Sequence, residues 1–139
     1  MKLKKNCFTI NSYHQAVEVI LISKKNKVIP ILLINYYLIN GLGVSWLSEL
    51  KSMLEKKFKP KDFKILADVK KNYGLFISLV EEKINYIAVK GSEETLKRLT
   101  QIAKLNKVVI NPSFSVVDLS KSKNINLKLN KIYSKKIKT

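Results

Sequence analysis

The sequence predicts an α/β fold, with a small open parallel sheet of about four strands, helices on both faces and a helix ahead of the first strand. Two topologies fit, a half-barrel or flavodoxin-like βα repeats. Three observations carry this reading. Short apolar runs rich in β-branched residues alternate with segments of helical spacing. Gly and Pro fall between them. The 139 residues, 46% of them hydrophobic, suffice for one core.

Each element has its own signal. Ser12 and Gln15 form a capping-box pattern, and Ala16, Val17, Ile20 and Leu21 continue at helical spacing, predicting a helix over 12–25. The run "VIPILLIN" (28–35) is continuously apolar, as in a strand buried on both faces. "YYLINGLG" reads as a loop hinged on Gly41 and Gly43. Leu47, Leu50, Leu54 and Phe58 mark a second helix, capped by Gly43 or Ser45 and closed by Pro60. A strand at 63–69, a helix at 73–83 and a strand at 84–91 repeat the unit. Ser92 caps a further helix, with Glu93 and Glu94 in its first turn, and "KVVINP" (107–112) is the last predicted strand. Residues 1–119 form one domain, followed by a lysine-rich tail, 120–139. In the tail Ile125, Leu127 and Leu129 alternate as in a strand, while Ile125, Leu129, Ile132, Tyr133 and Ile137 also follow a helix face; the reading taken is a helix from about 122.

Residues 28–48 carry no charge. They include Pro30, two asparagines and two glycines, and the pattern changes midway from a continuous run to helical spacing. Strand, loop and helix account for this better than a membrane span. The basic start "MKLKKNCFTINSYHQ" is followed by no apolar stretch of signal-peptide length, so the expected location is cytoplasmic.

The formal net charge is +17, yet only Arg98 among the 27 basic residues is arginine. Joint enrichment in Lys, Ile and Asn is what an AT-rich coding sequence produces, and near-absence of Arg argues against base-reading nucleic-acid recognition. Cys7 is the single cysteine and His14 the single histidine, so no internal disulfide forms, and neither a metal nor a cofactor is expected. Cys7 reads as a small buried apolar residue.

The segments "INSYHQAVEVI", "VIPILLINYYLINGLGVSWLSEL", "ILADVKKNYGLFISLVEEKINYIAVKG" and "NPSFSVVDLS" resemble a family of short uncharacterised bacterial α/β proteins, over about residues 8–120. In that family the second strand often ends with Cys between two acids. Here the strand ends Ala67-Asp68-Val69, followed by Lys70 and Lys71, so no thiol role carries over. Gly43, Asp68, Gly74 and Asp118 are the positions that match. The resemblance implies an α/β fold and no particular activity.

Ligands of open parallel sheets bind beyond the carboxyl ends of the strands. That rule selects Asn35 and Tyr36, Asp68 and Lys70, Lys90, Gly91 and Ser92, and Asn111 and Ser113. "VKGSEE" offers a helix N-terminus with Gly91 and Lys90 beside it, suited to a small anionic ligand, but it also reads as a plain βα turn whose Glu93 and Glu94 repel anions. Asp68 is the candidate catalytic carboxylate, with a lysine partner, or a helix cap. Three functions compete: binding of a small anion at the strand ends, nucleic-acid or ribosome association through the basic tail, and an interaction module that forms a homodimer through a sheet edge. The first is the leading expectation.

Overall fold

A computed structural model describes residues 6–138, with side chains to residue 134; the basic start, 1–5, lies outside the described residues. The sheet has six strands: β1 (Cys7–Thr9), β2 (Ile31–Ile34), β3 (Lys64–Lys70), β4 (Tyr86–Val89), β5 (Val109–Ile110) and β6 (Val116–Asp118). The helices are α1 (Tyr13–Lys25), α2 (Tyr36–Leu42), α3 (Val44–Lys57), α4 (Tyr73–Glu81), α5 (Glu93–Leu105) and α6 (Ile125–Lys138). The strand order is β5-β4-β3-β2-β1-β6, and every pairing is parallel.

Three expectations are corrected here. The sheet has six strands rather than about four. A strand, β1, precedes the first helix; at three residues it is too short to show a period. Finally, the helices share one face. From β1 to β5 each strand is laid beside the last in the same direction. With crossovers of one hand, the connecting helices then all fall on the same side. The main core accordingly joins Phe8, Leu32, Ile65, Ala67 and Ile87 of the sheet to buried residues of all six helices. The second cluster, Cys7, Ile31 and Leu66 with Leu33, Tyr86, Ala88 and Phe114 packed against it, contains no helical residue.

Residues 111–115 cover that second face. They join β5 to β6, which stand at opposite ends of the strand order. Five strand spacings make a lateral span of about 24 Å. The chain from Ile110 to Val116 reaches about 21 Å when fully extended. A flat sheet therefore leaves the gap unbridged, and the sheet must curl until its edges approach. The strap seats Phe114 edge-on against Tyr86, with ring centroids 5.3 Å apart.

Local chemistry sets the boundaries. Ser12 accepts from the Gln15 amide, while the Gln15 side chain accepts from the Asn11 amide, a capping box displaced by one residue. "YYLINGL" is a short helix rather than the expected loop: Gly43, at φ +92°, ends it, so the glycine signal marks a terminus and not the whole segment. Along α6, Ile125, Leu129 and Tyr133 are buried, and Tyr133 meets the Ser23 hydroxyl of α1 at 2.6 Å. The tail helix is thus part of the core. Among the described residues no helix is long and apolar enough to cross a membrane.

Candidate functional site

At the carboxyl ends of β2, β3 and β4 lies a pocket of about 520 Å³ lined by Tyr36, Lys70, Lys71, Asn72 and Lys90. Its volume falls in the range of small-molecule sites. Tyr36 opens α2 directly after β2, Lys70 ends β3, and Lys90 follows β4. Asn72 caps α4 by accepting from the Leu75 amide at 3.0 Å. The pocket therefore combines three ammonium groups with the amino end of a helix, both of which favour negative charge.

Lys70 is placed by a strained backbone. The register between β3 and β4 shifts between Asp68 and Lys70, a bulge, and Lys70 has φ +51°. A non-glycine residue in this left-handed region costs about 1 kcal/mol, and bulges of this kind re-aim a side chain. Asp68 holds the arrangement. Its carboxylate accepts from the Lys70 amide at 3.0 Å and lies 3.7 Å from the Lys70 ammonium. The Lys70 carbonyl in turn accepts from the Lys90 amide at 2.8 Å, tying two pocket lysines to one another.

The expected site residues separate into groups. Tyr36, Lys70 and Lys90 line the pocket, with Asp68 beside them on Lys70. Gly91 and Ser92 are engaged in their own turn. The Tyr73 hydroxyl donates to the Lys90 carbonyl at 2.9 Å, and a Cβ on Gly91 would lie 2.7 Å from that hydroxyl. Ser92 accepts from the Thr95 amide and donates to the Thr95 hydroxyl. The glycine thus makes room for a tyrosine, which favours the plain-turn reading of "VKGSEE". Asn35 caps α2 without a side-chain hydrogen bond. Asn111 completes the sheet, its side-chain oxygen accepting from the Val89 amide at 2.8 Å. Ser113 lies on the strap that covers the sheet's second face, outside the pocket lining.

Lys71 and Asn72 belong to the lining and were not selected from the sequence. The signal was present: a cap residue one turn before Leu75 and Phe76 marks where α4 begins, and the residues just ahead of a helix at a strand's carboxyl end face the rim. Asp118 is engaged elsewhere. Hydrogen bonds from the Ser120 hydroxyl at 2.6 Å and amide at 3.0 Å hold its carboxyl below the usual range. Cys7 is fully buried, and desolvation pushes its thiol up to about 11, consistent with a packing role. No protein-family model matches the chain, and no curated protein matches it.

Proposed function

We propose that the protein binds a small phosphate- or carboxylate-bearing ligand in the pocket lined by Tyr36, Lys70, Lys71, Asn72 and Lys90. One observation supports this above the others. Three lysines from two strand ends converge on one concavity at the amino end of α4, no acid is among its lining residues, and the neighbouring Asp68 is already spent on Lys70. A cluster so arranged has positive potential to spare, and Lys presents it as movable point charges suited to a phosphate. Tyr36 supplies a ring on which a planar part of the ligand can rest.

Asp68 acts in this reading as a positioning residue for Lys70 rather than as a general base, because both of its oxygens face that lysine. Homodimerisation through a sheet edge is less supported by the geometry. The edge strands β5 and β6 are two and three residues long, and such short edges give little to pair with.

The test is calorimetric titration with inorganic pyrophosphate and with AMP. Lys71→Gln and Lys90→Gln should each weaken binding about tenfold, the worth of one charge-assisted hydrogen bond. Lys24→Gln, at the opposite edge of the sheet, should leave affinity unchanged. Absence of binding to either probe at millimolar concentration in the unsubstituted protein would overturn the reading.

A further inference from the structure

The other edge of the sheet, where helices end and strands begin, is the more positively charged of the two. The segments 22–31, 54–64, 79–86 and 102–109 lie there, and together they hold eleven lysines and four acids. The acids are largely committed. Asp62 is ion-paired to Lys24 at 3.3 Å and accepts from the Lys59 amide, Glu55 pairs with Lys51, and Glu82 accepts from Ser48. The corresponding turns at the pocket edge, 68–73, 90–94 and 118–124, hold five lysines and four acids.

Three of the lysines at the helix-end edge occupy the same structural position. α1, α4 and α5 each end in a Schellman turn. Val28, Ile84 and Val108 donate their amides to Ser23, Leu79 and Ala103, five residues back. The residue before each donor is left-handed, and in all three turns it is lysine: Lys27 at φ +59°, Lys83 at +57° and Lys107 at +60°. Glycine is the usual occupant, with asparagine next. A compositional drift toward Lys, Ile and Asn supplies asparagine as readily, and asparagine takes this conformation more easily than lysine. Complementing the helix dipole does not require these lysines at α1 or α5, since Lys24 and Lys25 already close α1 and Lys104 closes α5. All three side chains are exposed, at the entries to β2, β4 and β5, a row about 14 Å long at the spacing of parallel strands. Lys24, Lys27 and Lys61 also line a concavity of about 220 Å³ on this edge, whose one acid is the paired Asp62.

We propose that this edge docks the phosphate backbone of single-stranded nucleic acid, with Lys27, Lys83 and Lys107 as its central contacts. A row of point charges without arginine forks or exposed aromatic rings engages phosphates without reading bases. The site is independent of the pocket, which lies at the opposite ends of the strands.

The full-length protein is titrated into a fluorescein-labelled oligouridine across a salt series, with anisotropy as the readout. Binding should weaken steeply with salt. In the triple variant K27N/K83N/K107N the slope of log affinity against log salt should shrink by about 2, at about 0.7 for each single-strand phosphate that is no longer neutralised. Its melting temperature should hold or rise, because asparagine suits the left-handed position better, so weaker binding would not reflect unfolding. Lysine-to-glycine at the same positions should behave alike. The variant K121N/K123N/K128N, which removes equal charge from the pocket end, should keep the slope. Three outcomes would overturn the proposal: an unchanged slope in the first variant, an equal decrease in the control, or sedimentation with phosphatidylserine vesicles in place of oligouridine binding. Pyrophosphate titration of the first variant should match the unsubstituted protein, so each site stands or falls alone.

Discussion

Tyr73 donates its hydroxyl to the carbonyl of Lys90 across the α-carbon of Gly91, at 2.9 Å. This hydrogen bond closes the turn that presents Lys90 to the pocket. Gly91→Ala places a methyl 2.7 Å from the hydroxyl and displaces the ring, so it should cost about 1 kcal/mol, the net worth of the hydrogen bond. Tyr73→Phe should cost a similar amount. Because both changes remove one interaction, the double variant should cost about as much as either alone, a coupling of about 1 kcal/mol in urea denaturation.

The buried hydroxyl pair Ser23–Tyr133 joins α1 to α6 at 2.6 Å. Tyr133→Phe leaves the Ser23 oxygen buried without that partner and should destabilise by about 1–3 kcal/mol. Adding Ser23→Ala should return part of the loss, since neither polar group then remains stranded. Denaturation midpoints of the two single variants and the double variant decide it.

Phe114 covers the second face of the sheet from the strap. Its removal in Phe114→Ala should cost about 2 kcal/mol, less than a fully enclosed phenylalanine because the ring is half exposed. Phe114→Leu should recover most of the melting temperature if apolar cover matters more than the edge-on contact with Tyr86.

Alkaline stability should track Cys7. Burial raises its thiol from 9.0 to about 11, so the folded state holds the proton more tightly than the unfolded chain. The associated stability is fully present below pH 9 and is lost as pH rises toward 11, a fall of about 2–3 kcal/mol. Tyr133, raised by desolvation, adds a loss of the same sign above pH 10. Cys7→Ala should flatten the first part of this limb in denaturation curves measured from pH 8 upward. At low pH the sign reverses. Asp62, held down by the Lys59 amide and then Lys24, contributes stability above pH 3.8 that disappears as the carboxyl protonates.

What the sequence reveals of this fold follows the length of each element. The helix over 12–25 was legible from the helical spacing of its apolar residues, although the face it buries is Ala16, Val19, Ile20 and Ser23 and leaves Leu21 exposed, and the Ser92 cap because serine precedes two acids. Strands β1 and β6 were not, since "CFT" and "VVD" are too short for any period to register. The direction of winding was also hidden. Alternation of strand and helix is the same whether a sheet is wound one way or two, and only the strand order, with β1 to β5 laid down in one direction, places the connecting helices on one face. At the pocket, lysines at strand ends could be picked out singly, but the bulge that turns Lys70 toward Lys90 depends on a register no local pattern encodes. The left-handed lysines look like ordinary solvated charges until their φ angles are seen.

The pairing of β1 with β6 has a consequence for biosynthesis. The outer neighbour of β1, β6, and the helix that covers α1 are made only about a hundred residues after β1 itself; Ser23 and Tyr133 alone are 110 residues apart. Until they emerge, the nascent chain presents an open strand edge and an uncovered apolar stripe. That interval, rather than the finished molecule, is when it is most exposed to association with its neighbours.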